Sequence, residues 1–123
     1  MTQTFFVPGP LPGLNEIIAA SKGAGGSGAY YAQTKRAWTE HAMVHAIKAK
    51  LKPVASANFH YHFVEKNRRR DPSNIFAAVK FIEDGLVAAK VLTNDGWAQV
   101  LSIETSFAIG EKPGILVTLT EPS

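Results

Sequence analysis

Polar and apolar residues alternate along Val54–Val64, with His60 and His62 on one face, and that two-residue period predicts a strand. A helical period replaces it elsewhere. From about Ala32 to Lys50 the apolar positions Trp38, Met43, Val44, Ile47 and Leu51 recur near helical spacing, leaving Lys35, Glu40 and Lys48 for water. Asp71 followed by Pro72 opens a second helix that is predicted to run to about Ala89, with Ile75, Val79, Ile82 and Leu86 as its buried stripe. Thr4–Val7 reads as a short strand stopped by Pro8, Gly9, Pro10 and Pro12, and Asn15–Ala20 as a brief helical turn. Trp97–Ile109 and Gly114–Thr120 read as two further strands, and Gly110, Glu111, Lys112 and Pro113 suit a hairpin turn between them. The predicted order is β-α-β-α-β-β. It describes an α+β fold with a small mixed sheet and two main helices.

A chain of 123 residues that is 46% hydrophobic can bury one core, so residues 1–123 are expected to form a single domain. The formal charge is only +3, but the cations are uneven: Lys48, Lys50 and Lys52 form one group, and Lys66, Arg68, Arg69 and Arg70 another. With no cysteine there is no disulfide framework and no thiolate zinc site. The opening MTQTFFVPGP lacks a positive n-region and no apolar run approaches a membrane span, so a cytoplasmic protein without a membrane partner is expected.

Several motifs are discounted on physical grounds. Gly23, Gly25 and Gly28 match GxGxxG, but no strand precedes them as dinucleotide binding requires, and Lys22–Gly28 reads instead as a flexible connection. No GK[ST] follows to make a phosphate-binding loop, and no organic cofactor is expected. His41 and His45 have zinc-compatible spacing, yet residue 42 is alanine where a metalloprotease needs glutamate. His60 and His62 suit a half-exposed sheet face better than a metal or phosphate contact.

The stretch from Arg68 to Asp95 carries the chemistry, although each part has an ordinary reading. Asp71 caps a helix with its carboxylate, Asn94, Asp95 and Gly96 form a turn, Arg68–Arg70 are a solvated loop, and Lys80 and Asp84 are an i,i+4 ion pair. Together they supply what cutting nucleic acid requires: cations to hold a phosphodiester backbone and carboxylates to hold a divalent ion that activates water.

The ordered combination resembles the RusA family of endodeoxyribonucleases, the Holliday junction resolvases of bacteria and their phages. The matching residues are Arg69, Arg70, Asp71, Asn74, Lys80, Asp84, Val91 and Asp95. The segment LPGLNEIIAA, followed later by a lysine-rich helix, is similar to phage members, so the likeness covers nearly the whole length. It implies a small mixed α/β homodimer, bacterial or phage-encoded, that binds four-way DNA junctions and nicks two strands symmetrically with Mg²⁺ or Mn²⁺. Asp71, Lys80 and Asp95 are the implied catalytic residues; Asp71 and Asp95 would hold the metal with help from Asp84 or Ser73, while Lys80 neutralises developing charge. Lys66, Arg68, Arg69 and Arg70, with Lys35 and Arg36 as secondary candidates, would hold the DNA backbone by shape rather than by sequence. Ser73 and Asn94 stand where the family commonly has aspartates, which thins the carboxylate set that hard cations favour. Glu83 or Asp84 compensates only if geometry allows. A junction-binding protein without cleavage is the alternative, and a domain whose basic loop meets an acidic protein is a third reading.

Geometry adds a condition. A straight helix over residues 72–89 would be roughly 27 Å long, so Asp95 must double back, or come from another subunit, to share an ion with Asp71. Along such a helix Lys80 would lie roughly 13 Å from Asp71.

Overall fold

The computed structural model describes residues 1–22 and 29–123, so the GxGxxG glycines lie outside the described residues. Its elements are β1 (Thr2–Pro8), α1 (Leu14–Ser21), α2 (Ala29–Lys48), β2 (Ala57–Glu65), α3 (Pro72–Phe76), α4 (Val79–Ala88), β3 (Val100–Ile109) and β4 (Gly114–Thr120). They form one small α+β domain around a four-stranded mixed sheet of order β1-β4-β2-β3. Among the described residues no helix is long and apolar enough to cross a membrane.

Two expectations about strand order and helix continuity fail. The hairpin between the last two strands does not form: β3 pairs parallel with β2, while β4 enters antiparallel between β1 and β2. The four residues Gly110–Pro113 therefore step over the end of β2, where the Gly110 N–H donates to the Glu65 carbonyl (2.9 Å) and the Gly9 N–H to the Pro113 carbonyl (2.9 Å). The second helix, expected to be continuous to Ala89, is broken at Ala77–Ala78. Short-range bonds mark the break, Ala78 N–H to Ile75 O (3.2 Å) and Phe81 N–H to Ala78 O (3.0 Å), the tighter i to i+3 pattern.

The two halves of that broken helix answer to different partners. The Asn74 side-chain oxygen on α3 accepts the Asn15 backbone N–H at 2.8 Å and so caps α1, whose own N-cap is a glycine with no side chain to offer. Helix α4 is drawn onto α2 instead. At Gly85 an added Cβ would lie 2.6 Å from the Ala42 Cβ and 2.9 Å from the Met43 nitrogen, so the helices meet almost backbone to backbone. Small residues make that contact: Ala42 and Ala46 are buried, whereas Ile47, expected on the buried stripe, faces solvent.

The helices cover one face of the sheet. Phe5 and Val7 of β1, Phe59, Tyr61 and Phe63 of β2, and Ile115, Val117 and Leu119 of β4 turn inward and pack with Ile75, Val79, Ile82 and Leu86. Ile82 and Leu86 are fully enclosed, each contributing roughly 1.5–3 kcal/mol. Strand β3 lies at the edge, and Ile103, Phe107 and Ile109 are exposed there.

Replacing Gly85 with valine forces α4 off α2, and loss of roughly 1–3 kcal/mol of stability is expected in denaturant unfolding. A Gly85→Val protein as stable as the wild type would show that the close approach is not needed.

Candidate nucleic-acid interface and carboxylate site

The basic turn leaves β2 at Glu65 and reaches α3 at Pro72. Lys66, Arg68 and Arg69 project into solvent, as a phosphate-binding turn requires. Arg70 does not. Its guanidinium donates to both Glu65 carboxylate oxygens (2.9 Å each), to Glu16 (3.0 Å) and to the Leu11 carbonyl (2.9 Å), leaving the side chain 19% exposed. Arg70 is thus a clamp between the basic turn and the segment after β1, not a free backbone contact; most of its donors are already committed.

Asp71 is the N-cap of α3 by backbone position, but the expectation that its carboxylate caps the helix is overturned. Its carbonyl accepts the Asn74 N–H (2.9 Å) and Ile75 N–H (3.1 Å), whereas the side chain makes no capping bond. The residue is exposed, and among the described residues its carboxylate has no hydrogen-bond or salt-bridge partner. It opens onto a cavity of about 400 Å³ whose walls include Asn67, Arg68, Arg70, Phe107 and Ile109.

Lys80, Asp84 and Asp95 form a second group. One turn apart on α4, Lys80 Nζ and Asp84 Oδ1 are 3.1 Å apart, and Lys80 also donates to Asp95 Oδ2. Asp95 arrives because the chain after α4 doubles back. The Val91 N–H bonds the Leu86 carbonyl (2.9 Å), the Val91 carbonyl takes the Val54 N–H (2.9 Å), and the chain then returns to α4 before β3 begins. Asn94 braces this return, its side-chain oxygen accepting the Asp95 N–H at 2.9 Å. Lys35 on α2 approaches Asp84 at 3.8 Å.

Charges here are strongly coupled. The hydrogen bond to Asp95, outweighing partial burial and aided by Asp84, pushes Lys80 up to about 12, so it is an ammonium at every physiological pH. Hydrogen bonding from Lys80 holds Asp95 below its ordinary value. Glu83 is buried beneath them and accepts the Tyr61 hydroxyl at 3.2 Å. Burial raises the Glu83 pKa, the Tyr61 hydrogen bond works against that rise, and the negative charge of Asp95 adds to it. Burial first, then Glu83, lifts Tyr61 well above its usual value.

The structure therefore brings Lys80, Asp84 and Asp95 together and leaves Asp71 on a separate cleft. Among the described residues no group of three His, Asp or Glu side chains could hold one metal ion. Arg36 lies with Lys35 along the groove between α2 and α4. Tyr61 and Asn74 carry structural parts of this region that spacing did not single out. Glu83 had a readable signal: it is a charged residue between Val79 and Leu86 on the buried stripe of α4, a position that demands a polar partner. No family model matches the chain, and no curated protein matches it.

The raised pKa of Glu83 means that the folded state holds this proton more tightly than the unfolded chain, so stability is lost as pH rises from the ordinary glutamate range through the folded value. Glu83→Gln keeps an acceptor for Tyr61 without the charge. Its melting temperature should match the wild type in acid and exceed it near neutral pH; a lower value near neutral pH would contradict the assignment.

Proposed function

We propose that this protein is a structure-selective endodeoxyribonuclease acting on branched DNA such as four-way junctions. The observation that carries the reading is the Asp71 carboxylate, without a protein partner among the described residues, opening onto a cavity walled in part by Arg68 directly after an exposed basic turn. Solvent-exposed Lys66, Arg68 and Arg69 hold the phosphate backbone, and recognition follows from the shape of the branch because such contacts carry no base code. Lys80, protonated throughout the working range, neutralises charge developing on a transferred phosphate rather than acting as a base.

Carboxylate oxygens are the donors that Mg²⁺ or Mn²⁺ prefers, but among the described residues Asp71 does not meet Asp84 and Asp95 at one point. Asp84 and Asp95 present hard oxygens to one cationic point, the Lys80 ammonium, whereas Asp71 presents an uncommitted carboxylate on its own cleft. When bound, the ion would polarise the phosphate and lower the pKa of a water. Asp71 would hold it on its own cleft, and Asp84 and Asp95, a separate pair already neutralised by Lys80, would not share that ion. Lys35 adds positive charge beside Asp84.

Binding to branched DNA without cleavage is the second reading. It is favoured by Ser73 and Asn94 standing as neutral residues, and by Lys80 already neutralising both Asp84 and Asp95.

A synthetic four-way junction incubated with the protein and Mg²⁺ or Mn²⁺ separates the two. Symmetric nicks that fall by about 10²-fold or more in Asp71→Asn, with retained gel retardation, are expected. Retardation without nicks in either metal would leave only the binding reading, and no preference for branched over linear duplex would sink both. Arg68→Ala and Arg69→Ala should each weaken binding and lower the slope of log affinity against log salt by about 0.9, one lost phosphate contact apiece. Arg70→Ala should instead lower thermal stability, because it releases Glu65 and Glu16.

A further inference from the structure

We propose that His60 and His62 form a two-imidazole site for a divalent transition-metal ion, Zn²⁺, Cu²⁺ or Ni²⁺, on the open face of the sheet. The site is independent of the nuclease reading, and its ion is chemically distinct from the hard cation which that reading calls for.

Spacing alone leaves two such histidines on an ordinary half-exposed strand face, and the fold adds their convergence. Positions 60 and 62 of β2 point to one side of the sheet, opposite the side on which Phe59, Tyr61 and Phe63 meet the helices. Both rings turn toward β3. Ser106 Oγ lies 2.6 Å from His62 Nδ1 and 3.2 Å from His60 Nε2, so two imidazole nitrogens from one strand reach a single point. One hydroxyl proton cannot serve two lone pairs, so at least one ring turns an N–H toward Ser106 in this arrangement. An ion at that point would take a lone pair from each ring at roughly 2.0–2.1 Å, with each ring proton carried on the far nitrogen. That neutral tautomer is the one which ligating histidines adopt. The Ser106 hydroxyl thus aims both rings at the place the ion would take.

The surroundings favour a cation. The ladder neighbours of His60 are Glu104 on β3 and Thr118 on β4, those of His62 are Ser106 and Leu116, and none is basic. Glu104 is exposed and adds negative charge on the same face as Ser106. Among the described residues no third imidazole or carboxylate converges with the pair, so water completes the coordination. Imidazole nitrogens select against Mg²⁺, which takes oxygen, and they bind Cu²⁺ more tightly than Ni²⁺ or Zn²⁺. The other two histidines lack this geometry. His41 Nε2 lies 2.6 Å from the Pro8 carbonyl, which can only accept, so that nitrogen is a committed N–H. The His41 ring meets Trp38 and His45 edge to face, with centroids 5.3 and 4.8 Å away.

The chain has no cysteine to compete for such ions, so uptake reports on nitrogen and oxygen donors alone. Protein without a purification tag, in buffer holding excess Mg²⁺ to occupy hard-oxygen sites, is titrated calorimetrically with Cu²⁺ and with Zn²⁺. One ion per chain with a micromolar dissociation constant is expected, Cu²⁺ being the tighter. His60→Ala and His62→Ala should each weaken uptake by about tenfold or more, and His41→Ala should leave it unchanged. The wild type alone supplies a second readout that no folding defect can blur: paramagnetic Cu²⁺ below one equivalent should broaden the amide signals of His60, His62 and Ser106 before those of His41 and Asp71. Junction nicking in Mg²⁺, present or absent, changes none of these outcomes. No uptake of either ion at micromolar concentration, or uptake lost in His41→Ala or Asp71→Asn and kept in His60→Ala, would overturn the proposal.

Discussion

Helix α4 can lie against α2 only because Gly85 presents no side chain to Ala42, and most of the candidate site is positioned by that contact. The approach fixes which way α4 faces. Ile82 and Leu86 turn into the core, Glu83 is carried down to Tyr61, and Lys80 and Asp84 are left on the outer side within reach of Lys35. A larger residue at position 85 would move every one of these groups together, because they share one short helix. Packing and charge placement are therefore a single constraint here. The interhelical contact is apolar and small, yet it decides where a lysine and two aspartates meet.

The break between α3 and α4 has the same kind of consequence. Asn74 ties α3 to α1 through the Asn15 backbone, and Arg70 ties the preceding turn to Glu16 and the Leu11 carbonyl. Asp71 sits between these two tethers. Both of its neighbours in the fold are spent on structure, while its own carboxylate is spent on nothing described. A helix cap that does not use its side chain forgoes stabilisation worth about 1 kcal/mol. In the nuclease reading proposed above, this uncommitted carboxylate is the group given the chemical role.

Much of this fold was legible in period alone. The strands, the long helix and the buried stripe Ile75, Val79, Ile82 and Leu86 follow from spacing, because burial acts on side chains according to the direction in which the backbone points them. The helix break and the strand order did not follow. Both depend on contacts between residues distant in sequence: Asn74 with Asn15, Gly85 with Ala42, β4 between β1 and β2. A tetrapeptide such as Gly-Glu-Lys-Pro signals a turn but not which strand waits on the other side. Of the candidate residues, Lys80 with Asp84 was visible as an i,i+4 pair, while the return of Asp95 to Lys80 needed the folded loop to be seen.

Residues of one type divide their work across this region in a way that composition cannot resolve. Arg68 and Arg69 are solvent-facing cations; Arg70, one position on, is fixed by two carboxylates. Asp95 is held by an ammonium and kept ionised, Asp71 is not held by any described group, and Glu83 is buried where charge is disfavoured. Their separation follows from local dielectric and from which partner each can reach. A positive turn and a carboxylate beside it attract one another, and left alone they would neutralise. Arg70 is held by Glu65 and Glu16 rather than by Asp71, and the Asp71 carboxylate is left without a described partner. In the nuclease reading proposed above, a polyanion would rest on this turn with the Asp71 carboxylate oxygen free at its edge.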